Sequence, residues 1–324
     1  MISKELLVQN SRQFGTLIGL FIVIVVFWVL SPYFLTVSNL LNIAEQTSIN
    51  AIIAVGMTFV IISAGIDLSV GSIVAVSGVV MAGFLAGGQS EPVAILIGLG
   101  VGAFCGLTNG LLISYGRLPA FIATLGMMSV ARGAALFYTE GRPISGFSPG
   151  FRILATGEVA YVPAPVIFMA IIYLVAYFIL NRTKLGRYTY AIGGNEEAAN
   201  LSGINTRIVK TAIYGLSGLL SALSAVILTA RLNSAQPIAG MMYELDAIAA
   251  VVIGGTSLLG GEGRISGTLI GAFIMGILRN GLNLLGLSSF TQQIIIGSVI
   301  ILAVLVDMAL RKERKLTLGK GIFS

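Results

Sequence analysis

The chain has 324 residues, 56% of them hydrophobic and only 10% charged, with a formal net charge of +6. Ordinary soluble domains carry about 25% charged residues, so lipid rather than water must cover most of this surface. The absence of histidine and the single Cys105 exclude imidazole triads, imidazole metal sites and an intrachain disulfide.

A helix needs about 20 apolar residues to cross a bilayer. Ten spans are predicted: 14–31, 48–65, 69–87, 92–115, 119–138, 164–181, 209–230, 244–258, 265–285 and 290–309. The first, flanked by Lys4 and Arg12 and ending near Trp28 and Tyr33, reads as an uncleaved signal-anchor. The expected fold is all-α: one polytopic transmembrane bundle over residues 1–324, with Gly-broken helices. Glycine is 41 of the 324 residues, about twice the usual ~7%, and small residues let membrane helices approach closely.

Between the second and third spans lies Ser63-Ala64-Gly65-Ile66-Asp67-Leu68-Ser69-Val70-Gly71-Ser72. A broken backbone at membrane depth is tolerated only inside protein or beside water, and transporters place pathways at such breaks. Gly65, Asp67, Ser69 and Gly71 are therefore candidate gate or hinge residues. Asp67 has two readings. It is a costly ionisable pathway group, or it caps the helix expected from Leu68.

The outer connection 139–163, with Pro143, Pro149 and Pro163, is expected to be irregular and partly extended. The inner loop 181–209 carries Gly193-Gly194-Asn195-Glu196-Glu197-Ala198-Ala199-Asn200-Leu201-Ser202-Gly203. Asn195 can cap a helix of about two turns, with both acids in its first turn and Gly203 as its stop. It is either a plain surface helix or a docking knob for a cytoplasmic partner.

Further along, Asn233, Gln236, Glu244 and Asp246 gather at the outer entry of the eighth span, as Gln46 and Asn50 do at the second. They form a candidate rim or polar pathway, since a polar solute needs hydrogen-bonding partners. The acids also suit a helix N-terminus. A second Gly-rich break follows, with Gly254, Gly255, Gly260 and Gly261. It lacks the Lys of a phosphate-binding loop, and no catalytic constellation or cofactor site is expected. Arg132 and Arg279 lie within helical runs and either snorkel or pair with an acid.

Ten spans put both termini on one side. On that side fall Lys4, Arg12, Arg117, Arg182, Lys184, Arg187, Arg207, Lys210, Arg264, Arg311, Lys312, Arg314, Lys315 and Lys320, against Arg142 and Arg152 outside. The positive-inside rule makes the termini cytoplasmic. The net charge is thus a topology and lipid signal rather than a nucleic-acid patch. A gapless shift of 196 residues sets Asn50 on Asp246, Gly65 on Gly261 and Gly71 on Gly267, which suggests a parallel repeat of 14–115 and 209–309.

Glu197-Ala198-Ala199 with Gly203 resembles the EAA-x-x-x-G signature of permeases in bacterial ATP-binding-cassette importers. The continuation toward Leu-Pro is missing after Ile213, which sets the chain with the sugar-type branch (ribose, xylose, arabinose, galactoside). The stretches 65–72, 185–204 and 243–264 resemble that branch strongly, and 230–237 with 280–286 point to ribose among the sugars. The resemblance implies a permease, not an enzyme, of the bacterial inner membrane. It implies a second permease copy, a cytoplasmic ATPase with twin cassettes and a periplasmic sugar-binding protein. The family's coupling helix maps onto Asn195–Gly203. The rival from the residues alone is an ion-coupled transporter or facilitator with Asp67 as its deep acid.

Overall fold

The computed structural model describes the backbone of residues 4–320 and the side chains of 15–302, 304 and 305. The side chains of Lys4, Arg12 and the basic run Arg311–Lys315, read above as topology anchors, lie outside the described residues. In chain order the helices are α1 (Lys4–Leu30), α2 (Val37–Ile62), α3 (Val70–Ala86), α4 (Glu91–Ser114), α5 (Ala120–Thr139), α6 (Pro149–Thr156), α7 (Ala164–Arg182), α8 (Lys184–Gly194), α9 (Glu196–Leu201), α10 (Thr206–Leu232), α11 (Tyr243–Ile253), α12 (Ile265–Leu284) and α13 (Ser289–Lys320). Two short antiparallel pairs dress the loops: β1 (Ile144–Ser145) with β4 (Ser234–Ala235), and β2 (Glu158–Val159) with β3 (Val162–Pro163).

Among the described residues six helices, α2, α4, α5, α7, α10 and α12, are long and apolar enough to cross a membrane. Shorter apolar stretches cover 15–30, 70–86 and 289–302. The eighth predicted span, 244–258, is cut to the eleven residues of α11, about 16 Å at 1.5 Å per residue. The connection 139–163 is not merely irregular: Ser148 caps α6 by accepting the Phe151 N–H, and β1, β2 and β3 form there.

The core is built on α2, whose run from Ala51 to Ile62 is buried throughout. It packs against α10, α11, α12 and α7, and Tyr173 of α7 donates to the Ala51 carbonyl at 3.1 Å. The tightest seam joins α4 to α10. Gly98, Gly102, Gly106 and Gly110 recur every fourth residue, one helix face; Gly98 meets Met81 and Ser77 of α3, and the other three meet α10. A Cβ on Gly106 would strike the Tyr214 carbonyl, and one on Gly102 would come within 2.6 Å of the Gly218 carbonyl. This four-residue glycine period is legible in the sequence. Gly102→Leu is expected to cost about 3 kcal/mol or more by overpacking. Gly100→Leu, where a Cβ meets nothing within 4 Å, should leave the detergent-solubilised melting temperature unchanged; equal melting of the two variants would refute this seam.

Candidate functional site

Both Gly-rich breaks begin with the same helix stop. At the end of α2, Ala64 takes the left-handed conformation (φ 60°), its N–H bonds to Ile61 O and the Gly65 N–H reaches back to Val60 O. At the end of α11, Gly255 (φ 89°) donates to Val252 O and Thr256 to Val251 O. Each is a Schellman closure. In the first break the left-handed residue is Ala64 rather than Gly65. Gly65 is small for another reason: a Cβ there would collide with the Tyr214 hydroxyl.

The first break then doubles back. Asp67 is wholly buried. Its Oδ1 accepts from the Ser69 N–H at 3.0 Å and the Ser69 hydroxyl at 2.6 Å, and its Oδ2 accepts from Ser217 Oγ of α10 at 2.8 Å. Asn109 of α4 donates to Ser69 Oγ at 2.8 Å. Ser217 abuts Gly56, so Asp67 sits level with Gly56, about 9 Å back from the end of α2. The helix expected from Leu68 instead starts at Val70, with Ser69 as its N-cap residue. Asp67 is therefore not its cap. It closes a turn onto Ser69 and pins the break to two neighbouring helices.

Because the link runs back alongside α2, α3 starts inside the bundle. There it meets the other interrupted element, the loop 236–242 that leads into α11. Gly71 and Gly240 lie backbone to backbone, and a Cβ on either would strike the other's carbonyl. Arg132 of α5 neither snorkels nor takes an acid as its hydrogen-bond acceptor. Its Nη1 donates to the carbonyls of Pro237 and Ala239, both at 2.8 Å.

α2 begins at Val37, eleven residues before the predicted span, so Gln46 and Asn50 lie within the helix rather than at an entry, and the candidate rim residues are only partly brought together. Asp246 is 3% exposed. Its Oδ2 accepts from Arg279 of α12 at 2.6 Å and from Asn50 Nδ2 of α2 at 3.3 Å, so one carboxylate ties α2, α11 and α12. Asn50 Oδ1 is buried and has no hydrogen-bond partner. Glu244 lies beside Gly71. Gln46 bonds Asn42, Gln236 is exposed, and Asn233 caps α10 in the left-handed conformation while its Oδ1 accepts the Phe147 N–H. Asn233 thus holds the connection 139–163. Arg231 pairs with Glu45 at 3.3 Å.

On the opposite side, Asn195 accepts the Ala198 N–H at 2.9 Å and caps α9, as its position suggested. The helix ends with Gly203 at φ 85°, donating to Asn200 O, and Ile204 N–H to Ala199 O. It has six residues, close to the two turns expected. Glu196 pairs with Lys210 at 3.0 Å, Glu197 is exposed, and Leu201 stands 85% exposed. Beside it opens a cleft of about 360 Å³ lined by Asn200, Gly203, Ile204, Asn205, Thr206 and Arg207.

The sequence reading did not foresee how α9 meets the breaks. The preceding α8 ends against both. The Gly261 N–H donates to Ile62 O at 2.9 Å, Gly193 packs on that same carbonyl, and Gly260 (φ 84°) rests on Ala64 and the Gly193 carbonyl. Tyr190 donates to Gly263 O at 2.7 Å.

No solved structure matches the chain. Among curated proteins it is 52% identical over 298 residues to the ribose import permease protein of Bacillus subtilis (strain 168), covering 91% of this chain and 92% of that one. It is 53% identical over 296 residues to the ribose import permease protein of Escherichia coli (strain K12), covering 90% and 92%. The D-allose transport system permease protein of the same strain is 41% identical over 302 residues, covering 93% of each. The family profile described as "Branched-chain amino acid transport system / permease component" matches residues 39–304, four fifths of the chain, and the chain therefore belongs to that family of transport permeases.

Proposed function

We propose that this chain is the membrane subunit of an ATP-driven importer that moves D-ribose into a bacterial cell through the inner membrane. The observation that carries it is identity of 52–53% to two ribose permeases over nine tenths of the chain, against 41% to an allose permease. The proposal includes ten membrane passages, counting α3 and α11 as interrupted ones, with both termini cytoplasmic on the positive-inside asymmetry. The whole chain is one transmembrane domain, and 14–115 and 209–309 are parallel repeats. The hydrogen bond between Asn50 and Asp246, 196 residues apart, supports that register.

Two copies form the path. A periplasmic sugar-binding protein delivers the sugar to the outer mouth, where Gln46, Asn50, Asn233, Gln236, Glu244 and Asp246 contribute polar groups. A separate twin-cassette ATPase grips α9 through Asn195, Glu196, Glu197, Ala198, Ala199 and Gly203, with Leu201 and the adjoining cleft as further contact surface. ATP binding draws the cassettes together and displaces α9. The breaks at Gly65–Gly71 and Gly254–Gly261 then rearrange, opening the path outward and inward in turn.

Asp67 has both carboxylate oxygens occupied by Ser69 and Ser217, which supports a structural role over the ion site a secondary transporter needs. The test is uncoupling. Glu196→Ala combined with Glu197→Ala, or Gly203→Pro alone, is expected to cut ribose uptake in membrane vesicles at least tenfold with insertion intact. ATPase activity should no longer respond to the loaded binding protein. Normal stimulated uptake in these variants would remove α9 as the docking element.

A further inference from the structure

We infer that Gly193 and Tyr190 form a transmission joint through which α9 moves both Gly-rich breaks at once. This deepens the proposed coupling role of α9 and rests on it. Three backbones meet with no side chain between them: the carboxyl end of α2 at Ile62, the second break at Gly261, and the last turn of α8 at Gly193. A Cβ on Gly193 would collide with the Ile62 carbonyl and lie 2.5 Å from the Gly261 nitrogen. The Gly261 N–H is itself bonded to Ile62 O, so the two breaks are already tied to each other where α8 presses on them. Tyr190, one turn earlier on α8, adds a second tie by donating to Gly263 O at 2.7 Å.

Close-packed backbone transmits displacement because it cannot absorb it by rotamer change. Only Asn195 separates α8 from α9, and its cap bond fixes the start of α9. A pull on α9 is therefore felt at Ile62 and Gly261 together, and the two halves of the gate move as one. The neighbouring Gly194 supplies the contrast. It is exposed, has no left-handed conformation, and a Cβ there meets nothing within 4 Å.

The experiment compares Gly193→Ala, Gly194→Ala and Tyr190→Phe in the full complex with the ATPase and binding protein. Measured are ribose uptake, ATPase activity and co-purification of the ATPase. Gly193→Ala is expected to lose at least tenfold in uptake while the ATPase still co-purifies and hydrolyses ATP. Tyr190→Phe, which removes one oxygen and adds no bulk, should lose about threefold in uptake with the same retention. Gly194→Ala should stay within twofold of the parent.

Parental uptake in an inserted Gly193→Ala overturns the joint, as does an equal loss in Gly194→Ala. If Gly193→Ala fails to reach the membrane, Tyr190→Phe decides alone, and parental uptake there overturns the joint. Should the Glu196 and Glu197 variants uncouple while these do not, α9 docks but moves the gate by another route. If none of them uncouples, the coupling reading itself fails.

Discussion

Asp67→Ala is expected to destabilise the protein by about 3 kcal/mol and to abolish ribose uptake, because it strands three donors in the interior. The Ser69 N–H, the Ser69 hydroxyl and the Ser217 hydroxyl all end on this one carboxylate. Ser217 can turn back to a carbonyl one helical turn earlier. The Ser69 amide precedes α3 and has no such alternative. Asp67→Asn should be far milder, near 1 kcal/mol. Its side-chain carbonyl still serves Ser69, and its amide can donate to Ser217 Oγ. Thermal melts in detergent with uptake in vesicles check both. Full stability and uptake in Asp67→Ala would refute the structural role. A stable but inactive Asp67→Asn would instead show that the charge matters, as an ion-coupled transporter requires.

Asp246→Ala is expected to cost about 2 kcal/mol and to reduce uptake at least tenfold. The pair with Arg279 is buried on the acid's side at 4% exposure and 39% exposed on the arginine's. The cost of breaking a fully buried pair, about 3–5 kcal/mol, must therefore be discounted for solvent at the guanidinium. What is lost is the shared acceptor of α2, α11 and α12. A double-mutant cycle reads this directly: Asp246→Ala with Arg279→Gln should be less damaging than the sum of the singles, by about 0.5–3 kcal/mol. Strict additivity in melting experiments would show that the two residues act independently.

The candidate spans were legible wherever a helix is long and apolar, as in α4, α5, α7 and α10. The cap on α9 was legible because Asn195 and Gly203 bracket a run short enough for local chemistry to decide. The depth at which α3 and α11 begin was not, since it depends on a link that folds back along α2 and on Gly71 meeting Gly240, 169 residues away. The role of Asp67 was half visible. Ser69 is local, but Ser217 lies 150 positions on. Likewise α8 was passed over because its basic and aromatic residues read as loop, and nothing in the pair Gly193-Gly194 says which glycine is enclosed. Arg132 and Arg279 could not be assigned from their helices alone, because one finds carbonyls and the other an acid only through tertiary folding.

Dependence on an external motor is settled most directly by transport in proteoliposomes. Purified chain is reconstituted alone, with the partner ATPase, and with both the ATPase and the sugar-binding protein, and labelled ribose is followed with and without ATP. Accumulation is expected only in the complete mixture and only when ATP is present on the side bearing α9. Ribose entering vesicles that hold this chain alone, or entry driven by an ion gradient, would contradict the importer assignment.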